Sequence, residues 1–110
     1  SYVGVLTVEY FITEKDKLLV NEIAPRFHNS GHLTIEAFNI SQFENHVRAV
    51  CNLESIPIKK ISNAEMYNVL GFEIQKYKKR NFKKNEFFHD YQKKKARDGR
   101  KMAHLTILKN

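Results

Sequence analysis

The chain has 110 residues, 42% of them hydrophobic and including five Tyr and eight Phe, which is enough for one compact domain with a modest core and argues against disorder. Its apolar runs are too short to cross a membrane as a helix, and its first residues show no signal-peptide pattern. The formal charge of +7 points to an anionic partner, and the single cysteine, Cys51, excludes an internal disulfide and fits a reducing, cytoplasmic setting.

Residues 3–12 are rich in β-branched and aromatic side chains and predict a strand. Leu6, Val8, Tyr10 and Ile12 share one face; Val3, Val5, Thr7, Glu9 and Phe11 share the other. The polar turn "TEKDK" leads into a second strand over 18–23, which completes a β-hairpin. Pro25 ends it, because proline cannot extend the ladder. A loop runs to His32, and "LTIEAFN" leans helical. Ser41 with Glu44 three residues on predicts a capping box, and Phe43, Val47, Val50 and Cys51 follow at helical spacing. Residues 41–53 are therefore expected to be a helix, with Cys51 in the core. "ESIPIKK" is a connection and "AEMYNVLGF" a strand. The lysine-rich residues 74–85 read as a short helix or loop. Residues 87–91 and 102–108 read as two more strands, joined through "KKKARDG" with Asp98 and Gly99 at the bend. The expected class is α+β: the hairpin sits in a mostly antiparallel sheet with the 41–53 helix packed on it, and the last three strands form a small β-rich subdomain. The chain opens inside a strand pattern without an initiator Met, so residues upstream of Ser1 are expected.

The first half concentrates unusual chemistry. Folding the hairpin about its turn brings Glu9 opposite roughly position 22, where Glu22 stands. Like charges facing each other destabilise a sheet unless a cation lies between them. Mg²⁺ suits two such carboxylates together with phosphate oxygens; a merely solvated face is the alternative. Arg26 follows Glu22 by four residues, and its planar fork suits carboxylate or phosphate oxygens. Glu36 either joins a network with Arg26 or is a solvated helix residue. His28 and His32 have the spacing of a helical zinc pair, but "NSG" between them is poor helix material and no third nitrogen or sulfur ligand is near. The loop instead offers backbone N–H groups and short polar side chains that suit an oxyanion.

These stretches carry a resemblance. "VEYF", "LLVNEIAPRFHNSGHLTIEA" and "SQFENHVRAVCNL" resemble the C-terminal part of ATP-grasp enzymes, and more narrowly the carboxyaminoimidazole ribonucleotide synthetases of bacterial and fungal purine biosynthesis. The tail "ARDGRKMAHLTIL" resembles that family's closing "RPGRKMGH" segment. The resemblance implies that residues 1–54 are the C-terminal part of an ATP-grasp domain and 55–110 a small β-rich C-terminal domain. It implies a ligase that uses ATP to activate bicarbonate as carboxyphosphate and then carboxylates the amine of aminoimidazole ribonucleotide. Glu9 and Glu22 match the family's metal-binding acids, for Mg²⁺ or Mn²⁺ bridging the ATP phosphates, with Asn21 beside them at the cofactor. Arg26 and His28 match the catalytic end, and Asn29 and Ser30 the phosphate and substrate end. The resemblance also implies a homodimeric parent enzyme.

Charge divides sharply along the chain. Residues 1–58 hold four Lys/Arg and seven Asp/Glu; residues 59–110 hold fifteen and five. Two basic stretches contribute. Arg97, Arg100 and Lys101 flank the tight turn, and the resemblance implies that they take the ribonucleotide's 5′-phosphate. Asp98 stands where the family has proline and Ala103 where it has glycine. His104 reads as a structural residue of the final strand. "KYKKRNFKK", residues 76–84, reads as a solvated linker; alone it would also suit a basic RNA-binding module, since cations meet phosphates and aromatics stack on bases. Another ATP-grasp carboxylase or a transformylase is the alternative enzyme, against which the "HNSGH" loop argues. No adenine pocket or glycine-rich phosphate loop is legible, so the chain alone is expected to be inactive.

Overall fold

A computed structural model describes residues 1–109. The chain divides into two compact units, Ser1–Lys59 and Lys60–Asn110. Asn39 ties the connection to the first unit: its backbone N–H donates to the Lys59 carbonyl (3.0 Å), its side-chain oxygen accepts from the Lys59 N–H (2.8 Å) and its side-chain amide donates to the Pro57 carbonyl (3.0 Å).

In the first unit, β1 (Thr7–Ile12) and β2 (Leu18–Ala24) form an antiparallel hairpin that pairs only with itself among the described residues. The first strand starts later than its composition suggests. Gly4 takes φ +138, a conformation that L side chains rarely adopt, and Pro25 offers no N–H to a longer β1. The preceding segment is held by side chains instead. The Tyr2 hydroxyl lies 2.8 Å from the Pro25 carbonyl and 2.9 Å from that of Val5, and the Val5 N–H donates to His46 Nδ1. A two-stranded ribbon has no second layer of its own, so Phe11, Ile12, Leu18, Leu19 and Val20 are all more than half exposed.

After Pro25 the chain makes a single 3₁₀ turn over Asn29–Gly31 and one helical turn, α1 (Thr34–Ala37), which Phe38 ends in extended conformation. Helix α2 (Gln42–Val50) begins at Ser41, whose hydroxyl accepts the Glu44 N–H as the capping pattern requires. The Glu44 carboxylate takes Arg48 at 3.0 Å. Asn52, in the left-handed region at φ +52, closes the helix: its N–H reaches the Ala49 carbonyl and the Leu53 N–H reaches that of Arg48. That closure puts Cys51 at the exposed C-cap and corrects the expectation of a core cysteine. It also corrects the packing of the helix. Phe43 packs at a tilt of 50° against Phe27 of the loop (ring centroids 5.0 Å apart), while Val47 and Val50 are more than half exposed. The helix rests on the loop after β2 and not on a sheet face.

The second unit holds β3 (Asn63–Leu70), α3 (Ile74–Lys78), β4 (Glu86–Asp90) and β5 (Lys101–Lys109). The three strands form an antiparallel sheet in the order β3-β5-β4. The central strand is the one buried on both sides: Met102 through Thr106 are at most 3% exposed. Its apolar cluster joins Val69, Ile74, Met102 and Ala103, with Tyr77, Phe88 and Ala96 at the edge. His104 is a core residue, 2% exposed, stacked on His89 and bonded at Nδ1 to the Tyr91 hydroxyl (2.8 Å).

Candidate functional site

The acidic pair forms where the hairpin changes register. From the turn outward the partners run Ile12↔Leu18, Phe11↔Leu19 and Tyr10↔Val20. Beyond Tyr10 they become Glu9↔Glu22 and Val8↔Ile23, which leaves Asn21 as the extra residue of a β-bulge. An unbroken ladder would put Asn21 opposite Glu9. In a regular strand Asn21 and Glu22 would also point to opposite faces. The bulge lets both serve Glu9: Asn21 Nδ2 donates to Glu9 Oε1 at 3.3 Å, and Glu22 shares a third group with it.

That third group is His28. Its Nε2 lies 3.5 Å from Glu9 Oε2 and 3.5 Å from Glu22 Oε1, with the imidazole mostly buried and both carboxylates near half exposed. The other ring nitrogen, Nδ1, accepts the Ser30 N–H (3.3 Å) and lies 2.9 Å from Ser30 Oγ. An accepting Nδ1 carries no proton, so Nε2–H faces the two acids. Arg26 stands at the rim, its Nη2 at 3.9 Å from Glu22 Oε1 and its Nη1 donating to the Phe27 carbonyl (2.9 Å). Glu36 is half-buried in α1 rather than solvated.

The loop differs from the expected cradle of free backbone donors. The Ser30 N–H goes to His28 Nδ1, the Gly31 N–H to the His28 carbonyl and the His32 N–H to the Asn29 carbonyl. Closing a 3₁₀ turn uses those donors internally, which leaves the Asn29 and Ser30 side chains as the polar groups an anion would meet. His32 turns away into a stack on Phe43. Among the described residues no group of three or more His, Cys, Asp or Glu is placed to hold a metal by itself. Two converging carboxylates still match a cation that takes its remaining ligands from phosphate and water.

Gln42, at the start of α2, was not legible as a site residue. Its side chain spans the His28 backbone, accepting the His28 N–H at 3.0 Å and donating to the His28 carbonyl at 2.8 Å, and it also reaches His32 Nδ1 at 2.8 Å. Long-range contacts of this kind have no local sequence signal.

The basic turn of the second unit is built without the family's proline. The Arg100 N–H donates to the Arg97 carbonyl (3.1 Å) and Asp98 Oδ1 accepts the Gly99 N–H. Arg97, Arg100 and Lys101 are exposed; the Arg100 guanidinium donates to the Lys95 carbonyl (2.8 Å). A cleft beside the turn, about 400 Å³, is lined by Leu70, Phe72, Glu73, Asp98 and Gly99 and so by acids, not by the arginines. Residues 76–84 keep their lysines and arginine exposed, as a solvated stretch would, but not their aromatics. Tyr77 and Phe82 both stack on Phe88 (5.8 and 5.1 Å), Lys78 pairs with Asp90 at 2.9 Å and Arg80 with Glu86 at 2.6 Å. Aromatics committed to the core cannot stack on bases, which removes the main support for an RNA-binding module.

Comparison with known proteins finds matches along nearly the whole chain. Residues 1–43 match the ATP-grasp domain, and residues 64–110 match the phosphoribosylaminoimidazole carboxylase C-terminal domain. The N5-carboxyaminoimidazole ribonucleotide synthase of Brucella melitensis is 47% identical over 109 residues, 99% of this chain and 30% of that protein. The crystal structure of the N5-carboxyaminoimidazole synthetase of Staphylococcus aureus complexed with ADP superposes with a TM-score of 0.87 at 44% identity, over 97% of this chain and 30% of that one. The Aspergillus clavatus synthase in complex with ADP and 5-aminoimidazole ribonucleotide gives 0.84 at 38% identity, over 96% and 30%. The chain spans about 30% of the length of the curated relatives it matches. In chain order, the two matches are an ATP-grasp domain and a phosphoribosylaminoimidazole carboxylase C-terminal domain, and nearly the whole chain aligns with part of the N5-carboxyaminoimidazole ribonucleotide synthases.

Proposed function

We propose that this chain supplies the metal and phosphate end of an ATP-dependent carbon–nitrogen ligase that carboxylates 5-aminoimidazole ribonucleotide with bicarbonate, through carboxyphosphate, in purine biosynthesis. One observation carries the reading: Glu9 and Glu22 face each other across β1 and β2 and converge on a single imidazole nitrogen, 3.5 Å from each. A bound Mg²⁺ or Mn²⁺ ion would neutralise phosphate charge at this point. Glu9 and Glu22 would hold it, with Asn21 fixing the Glu9 carboxylate. Arg26, at the rim, offers a fork to the oxygens of bicarbonate or carboxyphosphate. His28 presents Nε2–H toward the same point, and Asn29 and Ser30 add short polar groups beside it. Arg97, Arg100 and Lys101 are proposed to meet the ribonucleotide's 5′-phosphate. The parent enzyme is proposed to be a cytoplasmic homodimer.

The test is Glu22→Gln in the full-length enzyme that carries this segment. ADP release dependent on bicarbonate and ribonucleotide is expected to fall by roughly 10³-fold, since several kcal/mol of charge stabilisation are lost. A folded variant with normal turnover would refute the metal role.

A further inference from the structure

Among the described residues, Gln42 is the one side chain that grips both ends of the candidate catalytic residue, bonding its backbone N–H and its carbonyl. Its Oε1 takes the His28 N–H and its Nε2 gives one hydrogen to the His28 carbonyl and the other to His32 Nδ1. The orientation of the amide is fixed, because the His28 N–H requires an oxygen opposite it. Both hydrogens of Nε2 are then committed, and His32 carries its proton on Nε2.

The grip is itself anchored. The Gln42 N–H is among those that open α2 with no partner inside the helix; it donates to Thr34 Oγ1 at 2.9 Å, and the Thr34 hydroxyl donates to the Gly31 carbonyl. A ring of hydrogen bonds therefore runs from the 28–31 turn through α1 to α2 and back. Gly31 completes it by absence. A Cβ at that position would lie 2.7 Å from Gln42 Cδ and nearer still to Oε1, so the amide occupies the space that a side chain at Gly31 would need.

We propose that Gln42 is a positioning residue: it locks the His28 backbone so that Nδ1 stays on Ser30 and Nε2–H stays aimed at Glu9 and Glu22. The proposal rests on the functional reading above for its catalytic consequence, but the lock itself is independent of that reading.

Two substitutions test it, Gln42→Ala and the isosteric Gln42→Glu. In the chain itself, amide exchange at His28 and the ring-nitrogen NMR signals of His28 and His32 are read at neutral pH. Gln42→Ala is expected to speed His28 amide exchange at least about tenfold and to blur the His28 Nε2–H signature into a mixture of tautomers. Gln42→Glu keeps an oxygen for the His28 N–H but sets its second oxygen against the His28 carbonyl, so the His28 amide should lose less protection than in Gln42→Ala, and a carboxylate cannot donate to His32, whose Nδ1 should then carry a proton. In the full-length enzyme, kcat of Gln42→Ala is expected to fall roughly 10–100-fold, with KM for ATP changed by less than about twofold. Wild-type exchange at His28 in Gln42→Ala, or an unchanged His32 tautomer in Gln42→Glu, would overturn the lock. A normal kcat beside altered NMR signals would overturn the catalytic consequence. A wild-type enzyme inactive with bicarbonate and ribonucleotide would overturn the functional reading, while the exchange and tautomer signals would still decide the lock.

Discussion

Gly31→Ala should destabilise this protein although the backbone tolerates it. Gly31 is not in the left-handed region, so alanine there would ordinarily add about 0.4–1 kcal/mol by restricting the unfolded chain. The new Cβ, however, would displace the Gln42 amide, which is the flexible end of a side chain and moves instead of the backbone. Moving it breaks three hydrogen bonds of 3.0, 2.8 and 2.8 Å. At about 0.5–1.5 kcal/mol net each, they sum to roughly 1.5–4.5 kcal/mol. The expected balance is a loss of about 0.5–4 kcal/mol, read by urea denaturation at neutral pH. In a Gln42→Ala background there is no amide to displace, and the same substitution should turn stabilising by about 0.4–1 kcal/mol. That change of sign is the decisive result. A Gly31→Ala variant as stable as wild type, or one with the same effect in both backgrounds, would refute the steric reasoning.

Other outcomes follow from the second unit. Tyr91→Phe removes the hydroxyl bonded to buried His104 and should cost about 1–3 kcal/mol by thermal or urea unfolding. Burial holds the Tyr91 hydroxyl above its usual pKa, so its contribution is complete below about pH 10 and is lost as pH rises through the folded value; Tyr91→Phe should lack that alkaline decline. The Lys78 ammonium, and after it the Gln92 N–H, hold the Asp90 carboxyl below the usual carboxylate range. That contribution is present above the unfolded pKa and is lost as pH falls below about 4, so urea midpoints measured at pH 7 and pH 3 should converge in Asp90→Asn relative to wild type; equal acid sensitivity in the two proteins would exclude the pair as a source of the decline.

The elements with local causes were legible. Alternating apolar residues on either side of "TEKDK" specify the hairpin, and Ser41 specifies the start of α2 through one hydrogen bond to Glu44. The features that misled had causes outside the local window. Cys51 keeps helical spacing with Val47 and Val50, but the left-handed Asn52 ends the helix before that spacing acquires a partner surface. Tyr77 and Phe82 lie among lysines that suggest solvent, yet Phe88, on a strand that follows later in the chain, draws both rings inward. In neither case does the residue's own neighbourhood reveal the outcome.

The acidic pair was legible, because folding the hairpin about its turn brings Glu9 opposite roughly position 22, and the ladder pairs it with Glu22. What the sequence does not show is the bulge at Asn21, without which an unbroken ladder would set Asn21 opposite Glu9. The bulge interrupts the ladder and brings two negative charges together, and a strand built only for stability would have neither. What offsets this locally is weak: contacts of 3.5 Å to one imidazole, 3.9 Å to one exposed guanidinium and 3.3 Å to one amide. Long contacts around a pair of converging carboxylates fit the proposal that Glu9 and Glu22 hold a cation. The rigid parts lie one layer away, in Gln42, Thr34 and the 28–31 turn, where the hydrogen bonds are short and the donors committed. A loosely held acidic pair backed by a tightly held histidine separates binding from positioning, and that separation is why substitutions at Glu22 and at Gln42 should report on different steps.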